Sequence, residues 1–247
     1  MKPTSSHLRS FALSLLLVAA GCSGLRQTDP ELLLNRYRGA IRDASSAEPF
    51  EIYRKLQAVV PYEPGLVWRG RPGESEVLVL NWTGRHDFDG LVGQATEATE
   101  GRWVTLAPKV RDLCRKLVRR HRGPALDLRL KQLLGLPPDA VKDRLVEFWV
   151  WPQDLLRPCP DPEVTDHECG LVPPSPGVVV DEGYRRWFED TMKTSYTDDG
   201  YPWTRLGYTY DWGNPRTEVG LSEFIIRTGA KVEVHSVTTT TGEYCGR

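Results

Sequence analysis

The clearest pattern of apolar and polar positions lies between Pro108 and Arg122. Val110, Leu113, Cys114, Leu117 and Val118 recur at helical spacing and form one apolar stripe. Arg111, Arg115, Lys116, Arg119, Arg120 and Arg122 occupy the other face, which Asp112 interrupts. The pattern predicts an amphipathic helix with Cys114 buried. Asp29 followed by Pro30 is an N-cap and first-turn signature that opens a helix running to about Asp43. A second short helix is expected from Glu48 to Val59, with Pro49 in its first turn. Pro124 begins another, with Leu126, Leu130, Leu133 and Leu134 on one side, ended by Gly135 and Pro137. A further helix is expected from about Asp181 to Lys193, carrying Tyr184, Trp187 and Phe188.

Strand patterns fall at 65–70, 75–84 and 102–108. Residues 143–152 are apolar on both parities, which predicts an interior strand covered on both faces. The segment YPWTRLGYTYDWG, 201–213, poses a choice between an open aromatic platform and a core strand. From Leu206 onward it keeps a period of two: Leu206, Tyr208, Tyr210 and Trp212 share one face, and Arg205, Gly207, Thr209 and Asp211 the other. That alternation favours a half-buried strand whose tyrosine hydroxyls reach polar partners. Tyr201 and Trp203 stand outside the stripe and are left as exposed ligand-binding candidates. Final strands are expected at about 203–212 and 230–241. There is no internal repeat and no regular strand–helix alternation. The expected fold is α+β, a mainly antiparallel sheet with packed amphipathic helices.

The N-terminal residues carry a different message. Lys2 and Arg9 precede the run Phe11–Ala20, in which only Ser14 is polar, and then come Val18-Ala19-Ala20-Gly21-Cys22. A basic segment followed by so short an apolar run is a secretory signal rather than a permanent membrane span. The residues around Cys22 resemble the lipobox of bacterial lipoprotein precursors, although Ala19 stands where that family favours leucine. The resemblance implies cleavage before Cys22, acylation of that residue and, with Ser23 following it, sorting to the outer membrane facing the periplasm. The implied organisation is a signal peptide at 1–21, a lipidated terminus and tether at 22–29, and one α+β domain at 30–247.

Composition narrows the possibilities further. Lys and Arg number 32 against 33 Asp and Glu, and losing Lys2 and Arg9 with the signal tips the balance slightly acidic. That argues against a nucleic-acid partner. Beside Cys22 there are Cys114, Cys159, Cys169 and Cys245, an even set that suggests two disulfides in an exported chain. Cys159 and Cys169 bracket a proline-rich loop and are the natural pair, which leaves Cys114 with Cys245; a free buried Cys114 is the alternative.

Chemistry is less legible. HExxH, GxSxG, a Walker loop, GxGxxG and SxxK are absent from the sequence. His86, Asp87 and Asp89 in GRHDFDG offer metal ligands or a base, but the same residue types make an ordinary turn, the preferred reading. Asp161, Glu163, Asp166, His167 and Glu168 offer oxygen ligands for calcium, but without EF-hand spacing; a solvated acidic loop stapled by a disulfide is preferred. Arg115, Arg119 and Arg120 on the basic helix are ligand-binding candidates for an acidic glycan or lipid. No catalytic residue and no cofactor is expected. The expected function is a non-enzymatic envelope lipoprotein that binds a protein or glycan partner. The alternatives are a glycan-active hydrolase, or a module that binds an acidic glycan or lipid.

Overall fold

A computed structural model describes residues 29–172 and 180–246. The signal, Cys22 and its tether, and the prolines at 173, 174 and 176 lie outside the described residues. The described residues form eight strands: β1 Val77–Thr83, β2 Ala95–Glu97, β3 Arg102–Leu106, β4 Arg144–Val150, β5 Leu155–Leu156, β6 Tyr208–Tyr210, β7 Val219–Ile226 and β8 Lys231–Thr238. They form one antiparallel sheet in the order β2-β8-β4-β1-β3-β7-β5, with β6 paired to β7 off that path. The helices are α1 Pro30–Ala44, α2 Ala107–Leu117, α3 Pro124–Leu133, α4 Glu182–Ser195 and α5 Thr241–Gly246. The fold is therefore α+β, as the mixed order of elements suggested.

Each strand sends alternate side chains to opposite faces of the sheet. Val77 and Val79 of β1 join Val146 and Phe148 of β4, with Phe224 and Val234, in one core. Loop residues Val59, Phe88 and Val164 close over that face. Leu78, Leu80 and Trp82 point the other way, into a second core built with Val110, Cys114 and Leu130 of the helices. This two-sided burial explains why β4 reads as apolar on both parities. Each such side chain contributes on the order of 2 kcal/mol relative to an exposed one.

Two disulfides join the described residues. Cys114 on α2 bonds Cys245 on α5, with Cα atoms 4.9 Å apart. Cys159 bonds Cys169 across the proline-rich loop, with Cα atoms 6.5 Å apart. Asp29 caps α1 as its position requires, its carboxylate accepting from the Glu31 and Leu32 amides at 3.0 and 3.4 Å.

Several expectations are corrected. The helix from Glu48 to Val59 is only a single 3-10 turn, Pro49–Glu51. Beyond it the Leu56 and Val59 amides donate to the His167 and Val164 carbonyls of the disulfide loop, so tertiary pairing displaces helical bonding. Residues 65–70 form no strand and contribute one bridge, Trp68 to Val77. The basic helix ends at Leu117, and Arg119 and Arg120 lie in the turn that follows.

The aromatic segment is a strand only over Tyr208–Tyr210, and it is not half-buried. Thr209 and Asp211 are as enclosed as Leu206 and Tyr208. Asp211 is held there by Arg129 of α3, which donates to both carboxylate oxygens at 2.8 and 2.6 Å. GLSEFIIR, left between two expected strands, is itself β7, paired with β3, β5 and β6.

Candidate functional site

The site begins with a ladder that opens. β1 and β3 pair at Val79–Leu106 and Leu80–Thr105, and there the pairing stops. β1 continues to Thr83 against β4, while β3 continues to Arg102 against β7. Asn81 spans the first gap, its Nδ2 donating to the Trp103 carbonyl at 2.8 Å in place of a backbone bond. At the far end Arg85 and Glu100, which flank the two strands, form an ion pair at 2.8 Å. Between these two bridges lies a cleft of about 700 Å³. That size is ordinary for a small-ligand site.

One wall is aromatic. α4 turns Trp187 and Phe188 onto Trp203, and Trp203 lies edge-on to Trp103 with ring centroids 5.8 Å apart. Those contacts set the next turn of α4, Thr191, Thr194 and Ser195, against the cleft. Tyr201 stands at its rim, 47 % exposed. Leu134, Gly135 and Leu136 line the cleft from the end of α3. Gly135 has φ +65°, a left-handed helix end that favours glycine.

Several polar groups of the cleft lack a partner among the described residues. Glu223 of β7 sits beside Thr105 of β3, and its carboxyl makes no hydrogen bond or ion pair to any described residue. Burial pushes that carboxyl up to about 8, so at neutral pH it holds its proton and is a hydrogen-bond donor. Asn81 Oδ1 and Trp82 Nε1 are buried without a partner among the described residues. Burial also lowers the affinity of Arg102 and Lys142 for their protons. The remaining cleft carboxylates, Glu100 and Asp199, are exposed and lie beside Arg85 and Arg38.

The sequence candidates fall in different places. Tyr201 lines the cleft, but Trp203 is 4 % exposed, with Nε1 donating to the Pro158 carbonyl at 3.0 Å, so its expected exposure is corrected. It supports the wall and does not offer an open ring. Arg115, Arg119 and Arg120 are exposed and do not line the cleft; Arg115 meets Asp112 at 3.3 Å.

His86, Asp87 and Asp89 are taken up by charge pairing. Arg144 donates to both Asp89 oxygens and to His86 Nδ1, His86 Nε2 meets Asp143 at 3.0 Å, and Arg85 grips Asp87. Those arginine bonds hold the Asp87 and Asp89 carboxyls below the usual carboxylate range.

In the disulfide loop Asp161, Glu163 and Asp166 converge. A cation just before the loop reaches the same cluster. Arg157 is completely buried, with Nη2 3.7 Å from Asp166 Oδ1 and bonded to the Asp166 carbonyl at 2.9 Å. His167 donates from Nδ1 to the Leu56 carbonyl, and Glu168 pairs with Arg54. Burial, partly offset by Arg157, raises Asp166 to about 6.

Glu223, Asn81, Arg102, Lys142 and Trp103 were not singled out as site residues from the sequence. A lone carboxylate inside the apolar run GLSEFIIR was the available signal for Glu223. Comparison with protein-family models, with curated proteins and with solved structures finds no match to this chain.

Proposed function

We propose that this chain is an outer-membrane lipoprotein, acylated at Cys22 and facing the periplasm, whose α+β domain binds an envelope glycan in the β1–β3 cleft without turning it over. The signal and the lipobox resemblance support the address. One observation carries the binding reading: a cleft lined by Trp103 and Tyr201 also holds Glu223, whose carboxyl has no hydrogen-bond or ion-pair partner among the described residues and whose hold on its proton is strengthened by desolvation. Aromatic faces suit sugar rings, and a neutral carboxyl suits their hydroxyls.

The test is titration of soluble envelope-glycan fragments, read by tryptophan fluorescence. Saturable quenching is expected, weakened about threefold to tenfold by Tyr201→Ala, the value of one aromatic contact. Absence of saturable quenching overturns the reading.

Hydrolysis is a second reading, because glycosidases use a carboxyl of raised pKa as general acid. They also need a second carboxylate, and the other two in the cleft already lie beside arginines at exposed positions. Glycan turnover by the native protein that Glu223→Gln abolishes would replace binding with catalysis.

A further inference from the structure

The end of the cleft nearest Thr83 is lined by two cations, Arg102 and Lys142, that no carboxylate among the described residues contacts directly. Arg102 is the first residue of β3, Lys142 lies just before β4, and both line the cleft on opposite sides of the end of β1. In uninterrupted register with Leu80–Thr105, Arg102 would stand opposite Thr83. Lys142 is at nearly the same level, because the Asp143 amide donates to the Thr83 carbonyl at 3.2 Å. Gly84 lets that segment approach: a Cβ there would lie 2.7 Å from the Val141 carbonyl oxygen.

Arg102 is 8 % exposed, yet its guanidinium makes no hydrogen bond or ion pair to any described residue. It lies over the Phe88 ring, 4.7 Å from the centroid, a contact that only partly compensates for lost water. Lys142 likewise has no carboxylate or carbonyl partner among the described residues. The nearby acids are bonded to other cations: Arg85 takes Asp87 and Glu100, which reach Arg102 only across space and against the opposing charge of Arg85, and Arg144 and His86 take Asp143. Glu223, on the floor of the same cleft, adds no negative charge at neutral pH while it is protonated.

We infer that Arg102 and Lys142 form an anion subsite at this end of the cleft, and that the ligand carries a carboxylate or phosphate group there. The inference rests on the cleft being the ligand site and adds the charge of its occupant. Arg102 is buried and Lys142 half-buried, neither has a direct carboxylate partner among the described residues, and an incoming anion would supply one to both. Tyr201, toward the aromatic wall, is left for the uncharged part of the ligand.

The test follows the Arg102 Nε–Hε resonance of the whole domain by NMR while acetate, inorganic phosphate or chloride is added at matched ionic strength. A saturable shift with acetate, with phosphate or with both is expected, and chloride should give none; whichever anion saturates identifies the group. Lys142→Met should weaken that binding about tenfold, and Lys142→Arg should restore it. Shifts that match chloride, or an affinity that Lys142→Met leaves unchanged, overturn the subsite.

A neutral oligosaccharide read in parallel at Trp103 and Tyr201 separates the two claims. Neutral-sugar binding without anion binding removes the subsite alone. Anion binding without sugar binding keeps the subsite and removes the glycan reading.

Discussion

Arg111 leaves the charged face of α2 and forms an ion pair with Glu147, a carboxylate with no exposure at all. Glu147 also accepts from Ser236 at 2.8 Å and from the Tyr244 hydroxyl at 2.9 Å. One buried acid on β4 thus joins α2, β8 and α5, beside the Cys114–Cys245 bridge. Arg111 and Arg119 look alike in the sequence, yet one is a structural pin and the other is exposed.

The difference should be measurable. Removing one partner of a buried pair costs about 3–5 kcal/mol, so Arg111→Ala should lower stability by about that amount. Arg119→Ala should stay within about 0.5 kcal/mol. Urea unfolding of both variants decides it, and equal effects would refute the assignment.

The disulfides should contribute unequally. Cys114 and Cys245 are 131 residues apart in sequence, Cys159 and Cys169 only 10. In the chain-entropy model these closures are worth about 5 and about 3 kcal/mol. Replacing Cys114 and Cys245 by Ser should therefore shift the urea midpoint further than replacing Cys159 and Cys169.

Glu223 should give stability a pH dependence of definite sign. Its folded value, about 8, lies above the ordinary 4.5, so the folded state binds more protons than the unfolded state between those values. Stability must then fall as pH rises through that window. Glu223→Gln should remove this loss and be more stable than the native protein at pH 9, with the gap narrowing toward pH 5. Parallel Tm profiles for the two proteins would contradict a raised Glu223 carboxyl.

Gly84→Ala should displace the segment carrying Lys142, because its new Cβ meets the Val141 carbonyl. A cost of about 1–3 kcal/mol is expected from such crowding. Loss of anion affinity with the Tyr201 rim still responsive to sugar is the expected ligand phenotype. Unchanged stability would mean that the two segments are not in close contact.

The address has its own check. Cys22→Ala should release the protein from the membrane fraction or leave it uncleaved. Unaltered membrane fractionation would remove the lipoprotein proposal.

The sequence by itself determined those features that depend on neighbours along the chain. Asp29-Pro30 starts α1 because a capping carboxylate and a fixed φ act within one turn. The stripe through Cys114 marks the buried face of α2, and the double parity of residues 143–152 marks β4 as interior. The cysteine pairs were the preferred reading of the spacing, with a free Cys114 left open until the structure paired it with Cys245.

Tertiary structure decided what local pattern could not. Leu56–Val59 lost its helix to hydrogen bonds from the Val164–His167 loop. Trp203 became buried because α4 arrives from elsewhere in the sequence to cover it. Arg111 and Arg157 turned inward because buried acceptors happened to lie within reach.

The cleft belongs to this second class. It exists because β1 follows β4 while β3 follows β7, so two paired strands part after Leu80. Nothing in either strand's own pattern records that separation. Glu223, Arg102 and Lys142 each read as an ordinary charged residue until the sheet brings them to one opening without a direct ion-pair partner among the described residues. Their chemistry follows from burial and missing partners, properties that a linear sequence does not contain.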